Sequence, residues 1–150
     1  MKRFFLLSAL SALLLAAAPN FAGDWKLVPS KSDFGAFPAP SAMSQKVSHD
    51  EPSLKVSTKM ATDNGDFDFD STYTTDGKET TNQFGPNAMK STAKWNANAL
   101  LIDTKGQFGE GELTIKDKWE LSADGKTLTM LRQFSSARGD MEQKLVFEKQ

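Results

Sequence analysis

The sequence predicts an all-β chain: an antiparallel up-and-down meander of about 8–10 strands that closes into a barrel. Three observations carry that expectation. Apolar and polar residues alternate with period two along most of the chain. Turn-forming Asn, Asp and Gly clusters punctuate the runs at short intervals. Nearly all connections are short, so successive strands should pair as antiparallel neighbours, and closure would remove the exposed edges of a long meander.

The alternation is clearest in three runs. Leu54, Val56, Thr58 and Met60 alternate with Lys55, Ser57 and Lys59. Phe67, Phe69, Ser71 and Tyr73 alternate with Asp66, Asp68, Asp70 and Thr72. Leu113, Ile115, Asp117, Trp119 and Leu121 alternate with Glu112, Thr114, Lys116, Lys118 and Glu120. Each run presents one face to a core and one to water. Asp63-Asn64-Gly65, Asp76-Gly77, Asn96-Ala97-Asn98, Gly106 to Gly111, Asp124-Gly125 and Arg138-Gly139-Asp140 supply the turns. The strands expected are 23–28, 42–50, 53–61, 66–74, 78–84, 88–95, 99–106, 112–121, 126–135 and 140–148. Met89, Ala93, Ala97 and Leu100 also fit a helical stripe, but strands on both sides favour a strand there. The exceptional connection is Pro29 to Ser41. Its three prolines exclude a regular helix, and Phe34 and Phe37 give it two aromatics to hide, as a loop lid would.

Residues 1–22 read as a secretory signal peptide, leaving 23–150 as a single barrel domain. Lys2 and Arg3 precede the apolar run Phe4 to Leu15, and Ala16-Ala17-Ala18 follow. The run is too short for a membrane span, so no stable span is expected after processing. Cuts after Ala17, Ala18 or Ala22 are the alternatives. The protein is then expected to be periplasmic or secreted. Loss of Lys2 and Arg3 leaves 16 basic against 19 acidic residues, a net charge of −3.

Composition narrows the function. The chain has 150 residues, 39% apolar and 25% charged, with 18 Lys plus Arg against 19 Asp plus Glu. That balance lacks a nucleic-acid footprint. The absence of cysteine excludes disulfides, thiolate nucleophiles and Cys-based zinc sites. One histidine, His49, leaves little for acid–base or metal chemistry, and it reads as a satisfied core or rim residue. There is no Gly-x-Ser-x-Gly elbow. Gly106, Gly109 and Gly111 precede a strand rather than a helix, so they form no dinucleotide fingerprint. Asp66, Asp68 and Asp70 share one strand face at about 7 Å spacing, too far apart to hold one calcium ion. No cofactor, no metal site and no catalytic residues are expected.

Phe21-Ala22-Gly23-Asp24-Trp25-Lys26-Leu27 resembles the first strand of lipocalins and fatty-acid-binding proteins, which begin with Gly-x-Trp. Leu145-Val146-Phe147-Glu148-Lys149 resembles the last strand of the fatty-acid-binding group. Trp25-Lys26-Leu27-Val28-Pro29-Ser30-Lys31-Ser32 and the hairpin Ser122 to Thr127 resemble uncharacterised exported bacterial proteins. The resemblance implies a lipocalin-like, calycin barrel. The fatty-acid-binding group covers its barrel mouth with two helices, where this chain has the proline-rich loop. The last-strand Arg of that group falls near Leu145 here, so its headgroup site is not copied.

The inward list is Trp25, Leu27, Met43, Val47, Leu54, Val56, Met60, Phe67, Phe69, Tyr73, Met89, Trp95, Leu100, Ile102, Leu113, Ile115, Trp119, Leu128, Met130, Phe134, Leu145 and Phe147. It describes either a solid core or an apolar pocket with a few polar anchors. Two charges break the inward faces. Asp117 lies between Ile115 and Trp119, and Arg132 between Met130 and Phe134. Counted outward from Asp124-Gly125, they lie opposite one another. Three readings follow: a structural ion pair, an Arg132 that meets an anionic ligand group while Asp117 orients it, or, from the lipocalin resemblance, an Arg132 stacked on Trp25. Arg132, Asp117, Tyr73, Trp95, Trp119, Phe67, Phe69 and Met130 are the ligand-binding candidates, with Phe34 and Phe37 as lid. The function expected is non-catalytic binding of a small apolar or amphipathic molecule. The alternative is an envelope structural or protein-interaction domain with a filled barrel. A protein partner is not identified by any motif.

Overall fold

The computed structural model describes residues 17–150, so residues 1–16 of the expected leader lie outside the described part of the chain. Ten strands form one antiparallel sheet: β1 (Gly23–Leu27), β2 (Ala42–Asp50), β3 (Ser53–Thr62), β4 (Gly65–Thr74), β5 (Thr80–Phe84), β6 (Asn87–Asn96), β7 (Ala99–Phe108), β8 (Gly111–Leu121), β9 (Thr127–Ser136) and β10 (Gly139–Lys149). The sheet order is β4-β3-β2-β1-β10-β9-β8-β7-β6-β5. Each strand pairs with its sequence neighbour, except that β1 also pairs with β10 and β4 does not ladder with β5. All ten expected strands form, with most ends moved by one or two residues. The helical stripe at 89–100 is absent because a turn at Ala97, φ 53°, splits it into β6 and β7. The connection expected from Gly106 shortens to Gly109–Glu110, because Gly106 continues β7. A Cβ at Gly106 would fall 2.9 Å from Met89 Cγ and 3.0 Å from Ala88 O. Glycine therefore lets β6 and β7 approach there.

Between β1 and β2, the chain makes one 3-10 turn at Pro29–Lys31 and then lies along β10. Val28 N donates to Val146 O at 2.8 Å, and Asp33 and Lys144 exchange backbone bonds of 2.7 and 2.8 Å. Ser32 Oγ donates to Val28 O and accepts from Val146 N. Gly35, at φ 61°, sits where a Cβ would meet Glu142 O at 2.5 Å. The proline-rich segment is thus stitched to the barrel wall, not loose above it.

The one unladdered seam, β4 against β5, is closed by a side chain. Asn82 accepts from Thr72 N through Oδ1 at 2.7 Å and donates from Nδ2 to Thr72 O at 3.1 Å. Its amide stands in for the peptide group that a paired strand would present. Phe69 and Phe84 meet edge to face across the same seam, 5.5 Å apart. Asn82 is buried, so its removal leaves backbone groups without partners. Asn82→Ala should cost about 1–3 kcal/mol. Amide exchange at Thr72 should accelerate more than at Lys55 on the paired β3; unchanged protection at Thr72 would contradict this role.

Candidate functional site

Strand direction sorts the inward residues into three levels. The end where β3, β5, β7 and β9 begin is a packed floor: Trp25, Leu54, Leu100, Trp119, Leu128 and Phe147 are buried there. Above them runs a belt of inward polar residues, Gln45, Thr58, Ser71, Asn82, Ser91, Thr104 and Asp117, all buried. Gln45 bonds Thr58 at 3.3 Å and Ser91 bonds Thr104 at 2.8 Å. Beyond the belt the same inward faces turn apolar again but stay open to water. Phe67 is 48% exposed and Phe108 56%, while Phe69, Phe84, Leu113, Ile115 and Phe134 are half-buried. The result is a closed floor, a polar waist and an aromatic mouth.

The floor contains a residue upstream of Gly23, where the sequence places the start of the domain. Phe21 is fully buried, stacks on His49 and Trp95 with centroids 5.7 Å away in each case, and meets Trp119 edge-on at 5.5 Å. Phe21 N donates to His49 Nδ1 at 3.0 Å, and Trp25 Nε1 donates to Phe21 O at 2.8 Å. With Nδ1 accepting, the neutral ring carries its proton on Nε2 and donates to Glu51 Oε1 at 2.7 Å. Trp95 Nε1 donates to the same oxygen at 3.0 Å, and Thr75 Oγ1 to the other. Burial pulls the Glu51 carboxyl up, but bonds from Thr75, His49 and Trp95 outweigh it and hold the group below its ordinary value. His49 is therefore a structural residue of the floor.

Asp117 and Arg132 stand directly opposite on β8 and β9, as the count from the turn requires. Arg132 Nε donates to Asp117 Oδ1 at 2.7 Å and Nη2 to Oδ2 at 2.9 Å. The Asp117 side chain is 6% exposed and that of Arg132 24%. Burial works against the guanidinium charge, but the Asp117 carboxylate beside it, reinforced by both hydrogen bonds, holds Arg132 above its ordinary value. Tyr73, buried nearby, has its phenol pushed up by burial; Ser71 and Arg132 counter this and Asp117 adds to it. Arg132 does not stack on Trp25. Lys149 Nζ takes that face, 5.6 Å from the ring, while the Arg132 guanidinium carbon lies 5.9 Å from the Phe134 centroid. The Arg132 Nη1 has no protein partner among the described residues.

The expected site residues therefore divide. Arg132, Asp117 and Tyr73 come together at the waist, and Phe67 and Phe69 line the mouth. Trp95, Trp119 and Met130 belong to the packed floor or its margin. Phe34 packs against the core, and Phe37, 51% exposed, meets Phe134 edge-on at 5.6 Å on the rim. Of the belt, only Asp117 stands out in the sequence, though the signal of the rest is there: Gln45 sits between Met43 and Val47 in inward parity, and Thr104 follows Ile102. Two shallow depressions on the outer wall, one lined by Lys90, Asp103 and Glu112 and one by Ser57, Lys59 and Asp68, are remote from the Asp117–Arg132 pair in parity. Asp66, Asp68 and Asp70 are exposed. Among the described residues no helix is long and apolar enough to cross a membrane.

No family model matches this chain, and no curated protein matches it. Solved structures do. A secretory abundant heat soluble protein from Ramazzottius varieornatus superposes with TM-score 0.62 at 12% identity, over 89% of this chain and 98% of that one. The zebrafish ileal bile acid-binding protein, complexed with cholic acid, gives 0.60 at 15% identity, over 87% and 98%. A point mutant of the fluorescent protein UnaG gives 0.58 at 13% identity, over 87% and 96%. At these identities the likeness is one of fold. The chain is similar to calycin, lipocalin-like barrels in architecture.

The floor makes two tests available. Phe21→Ala should cost about 3–5 kcal/mol, read as a lowered thermal midpoint. A folded-state value below the ordinary 4.5 makes Glu51 stabilising above that pH, and this contribution is lost as pH falls through the lower folded value. Glu51→Gln should thus flatten the acid side of a stability profile scanned from about pH 6 to about pH 3; an unchanged acid limb would contradict the network.

Proposed function

We propose that this is an exported, non-catalytic carrier that holds a small apolar or amphipathic molecule in the mouth half of the barrel. The observation that carries the reading is the set of inward phenylalanines, Phe67 and Phe108 above all, that stay exposed directly above a polar belt. Apolar side chains on the inside of a barrel are ordinarily covered, and an unfilled apolar concavity with few polar anchors is the usual form of a ligand site. A ligand tail would cover these rings, and its polar end would reach Arg132 and Tyr73. One structural neighbour, a bile acid-binding protein, is complexed with cholic acid, and this supports a small-molecule ligand for the proposed carrier.

Export belongs to the same proposal. Burial of Phe21 supports a cut after Ala17 or Ala18, which keeps the floor intact, over one after Ala22. An intact mass of the protein recovered from the cell envelope should include Asn20 and Phe21.

Leu131, 44% exposed, and Leu101 flank Lys118 in one outward row of β7, β8 and β9 and favour the filled-barrel interaction domain as the second reading. Uptake of the uncharged fluorophore N-phenyl-1-naphthylamine separates the two. The carrier predicts saturable one-to-one enhancement that Phe67→Asp weakens by about tenfold or more. No uptake, or uptake lost only on Leu101→Asp and Leu131→Asp, would favour the outer surface.

A further inference from the structure

Resting on the carrier reading, we infer that the waist selects an uncharged polar head group, such as a hydroxyl or carbonyl, and discriminates against a carboxylate. Arg132 is the inward cation of the waist, but it is not free to act as one. Asp117 occupies its Nε and Nη2 donors at 2.7 and 2.9 Å, so the pair presents no net charge. The other inward residues of the belt, Gln45, Thr58, Ser71, Asn82, Ser91 and Thr104, are neutral amides and hydroxyls. Tyr73 adds a neutral phenol.

An incoming carboxylate would have to give up its water. It would then lie against a guanidinium already neutralised by Asp117 on its other edge. Bringing a second like charge into a half-buried site without a second cation is unfavourable. A hydroxyl or carbonyl oxygen can accept from Nη1 without adding charge. Asp117 is therefore the specificity-determining residue: it converts an anion receptor into a receptor for neutral polar heads. Replacing it with Asn leaves a comparable shape and an uncompensated cation.

Displacement of N-phenyl-1-naphthylamine by lauryl alcohol and by laurate at neutral pH tests this, the two having equal chain lengths. The wild-type protein should bind the alcohol tighter, on the order of tenfold. Asp117→Asn should reverse the order, and Asp117→Asn with Arg132→Gln should restore a preference for the alcohol. Circular dichroism and thermal midpoints confirm that each variant is folded; the wild-type ranking decides alone if Asp117→Asn is not. Laurate equal to or tighter than the alcohol in the wild type overturns the selectivity and leaves the carrier intact. Failure of the fluorophore and both amphiphiles to bind the wild type overturns the carrier reading and this inference together.

Discussion

A guanidinium taken largely out of water must keep its charge matched, and in this barrel the matching carboxylate stands in direct register on the next strand. The Asp117–Arg132 pair ties β8 to β9 at the height where the interior changes character. Below it Met130, Trp119 and Leu128 pack without exposure. Above it Ile115 and Phe134 open toward solvent. A one-residue slip of either strand would send one charge to the outer wall and leave the other buried alone, so the pair also fixes register.

The two ends of the molecule are built differently. The floor is solid because Phe21 fills it from outside the meander; His49 accepts its backbone N–H, and Glu51 accepts the Trp95 indole N–H. Among the described residues, the only helical turn between β1 and β2 is the 3-10 turn Pro29–Lys31, and no helix covers the mouth. That connection is spent on β10, held by Asp33, Ser32 and Gly35. Closure of the sheet falls to Asn82, whose amide bridges a seam that backbone pairing leaves free. Packing thus concentrates the fully buried side chains in the lower half and leaves apolar rings exposed in the upper half.

Much of this is legible in the sequence, for a physical reason. Period two fixes which face a residue occupies, and a turn fixes which residues face each other; hence the ten strands, the inward faces and the opposition of Asp117 and Arg132. Parity does not give height along the barrel axis. Trp95 and Trp119 share a face with the waist residues, yet they lie at the closed end, where Trp95 bonds Glu51. Nor does alternation reach past the strands themselves. Phe21 adjoins an apolar leader and reads as part of it, and only the tertiary fold shows its ring against His49. Gln45, Thr58, Ser91 and Thr104 are polar residues in apolar parity, a weaker signal than a charge because hydroxyls and amides occur on either face. Three alternatives stay open for Arg132 because a sequence cannot say which cation reaches Trp25; Lys149, at the end of β10, does.

On the proposed carrier reading, the ligand meets the edge of the Arg132 guanidinium opposite the one fixed by Asp117. Side-chain nitrogen–proton spectra of Arg132, recorded while lauryl alcohol is added, test this most directly. The expected result is a saturable shift of the Nη1 signals with the Nε signal nearly fixed, together with shifts of the Phe67 and Phe134 rings. Unmoved Nη1 signals at saturation, or shifts confined to Leu101 and Leu131 on the outer wall, would contradict it.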